Sequence, residues 1–164
     1  MQLSQIAKIV SCVAPIDTAG VARLGAHINM SKYNHVAFVI TIGVANAAAC
    51  TLTVLAAPIS TGAGGVAMAF NYRIATAGAP LISVLEGVLT AAGVGGLILT
   101  NAVDDNKVLV VEVDAAELVA PTVNYYVGCN FSGAATVFLV SCVAICCEPR
   151  YEANAPIMPD PTVA

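Results

Sequence analysis

Charge is what this chain has least of. Asp, Glu, Lys and Arg make up 10% of its 164 residues, where about 25% is usual for a soluble domain. The net charge is −4 and no basic run occurs, so the electrostatic footprint of a nucleic-acid binder is missing. No charged side chain lies between Lys32 and Arg73, or between Glu117 and Glu148. So thin a polar coat suits a chain in a membrane, or one whose surface is largely covered by other protein. Tryptophan is absent and aromatics reach only 5%, so the 59% hydrophobic fraction is mainly Ala, Val, Ile and Leu. Nucleophile motifs are missing around every Ser and Cys. His27 and His35 have no partner at motif spacing.

The membrane reading is the first to weigh. Val36 to Val54 is apolar enough, and nearly long enough, to resemble a spanning helix. Against it, Thr41, Gly43, Asn46, Thr51 and Thr53 are spread along the segment. Its β-branched residues alternate, and the basic anchors of a spanning helix are nearly missing. A secretory signal is disfavoured by Lys8 inside the short apolar run "IAKIVSCVAP". Without secretion, the triplets Asn29-Met-Ser31 and Asn130-Phe-Ser132 are chance matches to a glycosylation signal.

What the chain does have is alternation with a period of two. In "HVAFVITI" Val36, Phe38, Ile40 and Ile42 share one face, with Ala37, Val39 and Thr41 on the other. "CTLTVLA" sets Leu52 and Val54 against Thr51 and Thr53. "VAMAFNYRI" reads as one strand with Val66, Met68, Phe70 and Tyr72 on one side. "KVLVVEVD" sets Leu109, Val111 and Val113 opposite Glu112. "NYYVGCNF" sets Tyr125, Val127, Cys129 and Phe131 against Asn124, Tyr126, Gly128 and Asn130. Each is a half-buried strand by pattern and propensity.

Turn signals separate the strands: "GVANAAA", "PISTGAGG", "NFSGA", and "DDNK" at 104 to 107, read as a hairpin-type turn. "DAAEL" offers Asp114 as N-cap and Glu117 three residues on, which predicts one short helical turn bridging two strands. The expected fold is all-β: an antiparallel sandwich, jelly-roll-like, in one domain over residues 1–164. Residues 1–24 form an N-terminal arm or first strand. Residues 148–164, with three prolines after Tyr151, form an extended C-terminal arm.

The stretch "SCVAICCEPRY" carries three of the six cysteines. Residues 135 to 147 are apolar on both faces and β-branched, so they read as a strand. Cys142 and Cys146 then share a face about 13 Å apart, at a rise of ~3.3 Å per residue. Zinc needs both sulfurs within about 2.3 Å of one point. Core packing is therefore the favoured reading for Cys142 and Cys146, and no metal spacing links Cys12, Cys50 and Cys129. "STGAGGVAM" lacks the ending of a phosphate loop and reads as a hairpin loop. Asp104, Asp105, Glu112, Asp114 and Glu117 follow no calcium-loop spacing and read as solvated turn and cap carboxylates. No catalytic, cofactor-binding or metal-ligating residue is expected.

Several short pieces, in order, resemble a known group. They are Met30, Lys32, Tyr33, Asn34 and His35; Thr51 and Thr53; Gly62 and Gly64; Phe70, Tyr72 and Arg73; Asp114, Glu117 and Leu118; and Pro149, Arg150 and Tyr151. The order, over residues 28 to 151, resembles small virion proteins of tailed bacteriophages of the head decoration, or cement, kind. The resemblance implies a non-enzymatic β-sandwich, made in the host cytoplasm and bound to the outer surface of the capsid. Its partners would be the major capsid protein and its own copies, as a homo-oligomer with a trimer the first expectation. No cofactor, nucleic acid or membrane is implied. The alternatives are a tail or head–tail connector protein, and then a small integral membrane protein with helical spans.

Overall fold

A computed structural model describes residues 7–45, 49–74, 90–120 and 122–149. The chain runs β1 (Ala7–Asp17), β2 (Arg23–Leu24), β3 (Ile28–Asn29), β4 (Tyr33–Ala45), β5 (Ala49–Ala57), β6 (Val66–Met68), β7 (Phe70–Ile74), β8 (Thr90–Ala92) and β9 (Leu97–Thr100). A single helical turn α1 (Asn101–Asp104) leads to β10 (Val108–Asp114). A 3-10 turn (Ala115–Glu117), β11 (Tyr126–Phe131) and β12 (Phe138–Pro149) follow. The larger sheet has the order β1-β12-β4-β10-β7-β8, and the smaller one β2-β11-β5-β6. β3 also pairs with β11, and β9 with β5. The ladders are antiparallel, and the two sheets pack into a sandwich.

The alternation read from the sequence decides which residues go inside. Val36, Phe38, Ile40 and Ile42 of β4 are at most 1% exposed, while Ala37 and Val39 are half-buried and Thr41 is exposed. Leu109, Val111 and Val113 of β10, and Leu52, Val54 and Ala56 of β5, enter the same core. In β12 the inner face is Phe138, Val140, Cys142, Ala144 and Cys146, all buried. The 3-10 turn has the expected capping box: the Asp114 N–H donates to Glu117 Oε2 at 2.9 Å, and the Asp114 side chain accepts in return. It carries the chain from the larger sheet to the smaller.

Three expectations change. Residues 66–74 are not one strand, because the chain leaves the smaller sheet after Met68 and enters the larger at Phe70. Met68 and Phe70 both point into the core across that step, so the period of two survives the change of sheet. "DDNK" is not a hairpin turn. Asp104 Oδ2 accepts the Thr100 N–H at 2.8 Å, which winds the chain into α1, and Asn106 takes φ 56° before β10. In β11 both faces are enclosed: Tyr126 is only 2% exposed, opposite Val127, Cys129 and Phe131. Of the N-terminal region, read as an arm or first strand, residues 7–17 are a strand, at the edge of the larger sheet. Glu148 and Pro149 end β12; the rest of the proposed C-terminal arm, with Arg150 and Tyr151, lies outside the described residues, as do residues 46–48 of "GVANAAA".

Neighbouring positions of β4 give a direct test of this register. Phe38→Ala is expected to cost about 3–5 kcal/mol through the cavity it leaves. Val39→Ala, on the outer face, is expected to cost less than about 1 kcal/mol. Urea denaturation of both variants measures the contrast, and equal losses would refute the assigned faces.

Candidate interaction surface

The two sheets differ at the centre of their outward faces, although the flanking strands of the smaller one also expose Leu24, Val66 and Ile98. On the smaller sheet the outward positions of β5 and β11 include Thr51, Thr53 and Asn130. Asn130 Nδ2 and Thr53 Oγ1 approach to 3.4 Å there. The larger sheet turns out apolar rows. One row runs Ile9–Ile145–Ala37–Glu112, and the next Ser11–Val143–Val39–Val110–Arg73. Ile9 is 51% exposed and Leu139 42%. Beyond them Ser141, Thr41 and Leu139 border a groove of about 340 Å³ that Pro15, Ile16, Gly43 and Val140 complete. Four adjacent strands thus share an apolar outer surface with no charged residue at its middle.

Charge gathers at one end of that surface. His35 lies in one row with Cys147 and Asp114. Its Nδ1 donates to Asp114 Oδ1 at 2.7 Å, and its Nε2 is 3.9 Å from Glu112 Oε1. A Cys–His–Asp row invites a nucleophile reading. Burial, and then the neighbouring Glu148 carboxylate, push the Cys147 thiol up, opposite to what a catalytic thiolate that attacks rapidly at neutral pH needs. The row reads as the polar rim of an apolar face.

The other residues singled out above are dispersed. The loop after β5 has Gly62 at φ 77° and Gly64 at φ 73°, a conformation that glycine adopts without strain, and it closes a hairpin onto β6. Asp104 serves α1 and lies 4.0 Å from Lys107. Asp114 and Glu117 serve the 3-10 turn. Among the described residues, no group of three or more His, Cys, Asp and Glu could hold a metal ion. Cys142 and Cys146 both point inward, as core side chains. Burial, with Cys12 adding to it, pushes the Cys146 thiol up to about 12.

Sequence reasoning missed two features. The first is the meeting of Cys12, Cys129 and Cys142 in the core. They come from β1, β11 and β12, and no local spacing links them. The second is His27. The segment between β2 and β3 arches along β11 and lays this imidazole over Gly128, where a Cβ would sit 2.7 Å from Nδ1. Nδ1 is 3.0 Å from the Gly25 carbonyl oxygen, to which it donates. Nε2 has no hydrogen-bond partner among the described residues, and the side chain is buried. Burial lowers the His27 pKa, with the Gly25 carbonyl opposing it. The missing side chains at Gly128 and at Gly62, where a Cβ would also run into the ring, are the sequence trace of this arrangement.

Comparison with protein families, with curated proteins and with solved structures finds no match to this chain.

His27 sets a pH dependence. Its folded pKa lies below the ordinary 6.5, so the unfolded chain takes up a proton first as the pH falls. Stability is full above pH 6.5 and declines below it, by up to about 1.4 kcal/mol per pH unit, until the folded value is passed. Asp17 behaves separately. The N–H groups of Phe138 and Ala19 lower its pKa from 3.8, so its contribution is lost only at more acid pH. Denaturation at a series of pH values should show the first decline in the native protein and not in His27→Gln. A native slope that persists in the variant would assign it elsewhere. Gly128→Ala, which drives a methyl group into the ring, is expected to cost about 1–3 kcal/mol in the same measurement.

Proposed function

We propose that this protein is a non-enzymatic structural protein of a tailed-phage virion, a decoration protein that binds the outer surface of the capsid and stabilises it. The observation that carries the reading is the apolar outer face of the larger sheet. A sandwich that turns out the exposed Ile9 and Leu139 and the half-buried Val143 and Ile145 on β1 and β12, with the half-buried Val39 and Val110 on β4 and β10, is suited to being covered. The scarcity of charge fits the same role, since a covered surface needs little polar coat. The order of short motifs from residue 28 to 151 supplies the virion context. Binding only to assembled shells adds free energy to the assembled state alone, and so opposes the pressure of packaged DNA. The partners are the major capsid protein and further copies of this chain, with a trimer the first arrangement to test.

A tail or head–tail connector protein would use the same face, and its position on the particle separates the two readings. Among the described residues no helix is long and apolar enough to cross a membrane.

Cosedimentation with DNA-filled heads of the encoding phage, prepared without this protein, is the test. The native protein is expected to bind and to raise the temperature at which the heads release DNA. Val143→Glu, which places a charge in the middle of the face, should weaken binding at least ~10-fold, a loss of about 1.4 kcal/mol or more, with an unchanged strand spectrum. Binding to tails alone, or full binding by the variant, would overturn the proposal.

A further inference from the structure

Three core thiols meet where the sheets face each other. The pairing of β1 with β12 slips between Ser11 and Val13, which turns Cys12 inward beside Val13, the partner of Cys142. Such a bulge sets two residues against one on the next strand. The Cys12 thiol is hydrogen-bonded to Cys142, and Cys142 also to Cys129 of the opposing sheet. Cys129 and Cys142 are fully enclosed, whereas Cys12 is 9% exposed. Cys12 also lines a cleft of about 340 Å³ with Ile16, Ala22 and Arg23. The trio therefore has a solvent side, and Cys12 stands on it.

We propose that Cys12 and Cys142 are a latent disulfide site, closed by thiol–disulfide exchange with a low-molecular-weight disulfide of the oxidised glutathione type that enters at Cys12. The Cys12 thiolate attacks one glutathione sulfur, which forms a mixed disulfide and releases one glutathione thiolate. The Cys142 thiolate then attacks the Cys12 sulfur and releases the second. Two protein thiols are oxidised, one glutathione disulfide is reduced to two thiols, and the two thiol protons pass to the leaving thiolates. The bulge suits the bond: Cys12 and Val13 together face Cys142, and both Cys12 and Cys142 turn into the core.

The hydrogen bond to Cys142, and then burial, keep the Cys12 thiol protonated at neutral pH. Closure is therefore slow there and speeds up about tenfold per pH unit. The bond would tie β1 to β12 across most of the chain length, which limits the unfolded state strongly. The site does not depend on the virion reading.

The test uses the full chain with Cys147→Ser, which removes the half-buried thiol at the rim. After incubation with oxidised glutathione at mildly alkaline pH, peptide mapping by mass spectrometry reads the pairing. The expected result is a Cys12–Cys142 linkage, an intact mass lower by two hydrogens, and a thermal midpoint higher by about 5 °C or more. Cys12→Ser in the same background should retain its thiols. Retention of all thiols without the Cys12 change would overturn the proposal. So would a Cys129–Cys142 linkage, a link between chains, or continued closure in the Cys12 variant. If Cys12→Ser does not fold, the peptide map of the parent decides.

Discussion

The pairing of β4 with β12 is the constraint on which the rest of the molecule depends. The ladder runs from Tyr33 opposite Pro149 to Ala45 opposite Phe138, with a slip between Phe138 and Val140. These are the two longest strands of the larger sheet, and each has a fully apolar inner face. β1 and β10 flank them, so the register of this one pair sets which side chains of four strands meet the smaller sheet. A shift by one residue would turn Phe38 and Ile40 outward while Cys142 and Ala144 stayed inside, or the reverse. Burial of those side chains makes that shift costly, and so selects the register that also lines up the outer rows.

The parts legible in the sequence were those governed by nearest alternation. Val36 through Ile42, Leu109 through Val113 and the cap at Asp114 could be read because strand and cap signals are local. The break at Ala69 was not legible. Met68 and Phe70 keep the period of two while the backbone changes sheets, so the pattern carries no mark of the step. The inward turn of Cys12 depends on a bulge against a strand 130 positions away in the chain, from 142 − 12. The covering of Gly128 by His27 depends likewise on the arch between β2 and β3. In the outer face of β12 the sequence showed apolar residues on both sides. Only the fold says which side is core and which is left open.

The difference between the two outer faces ties the architecture to its proposed use. Thr51, Thr53 and Asn130 give the smaller sheet groups that water can satisfy. Val39, Val143, Val110 and Ile145 give the larger sheet a surface that gains by leaving water. His35, Asp114 and Glu112 lie at one end of that surface, where charge orients a partner more than it strengthens the contact. The inner and outer sides of the same four strands thus do separate things, one holding the sandwich together and the other offering a place to bind.

Ala7 lies opposite Cys147, so β1 and β12 leave the sheet at the same end. A pull between the two chain ends would load the first pair of that ladder alone, and then the next, peeling β1 away stepwise. A load pressed across the broad face is shared by several ladders at once. The molecule is therefore mechanically compliant along its own chain and stiff through its thickness. Tension on the termini would be relieved by loss of the edge strand before the β4–β12 centre felt any of it, so β1 acts as a fuse for the rest of the fold.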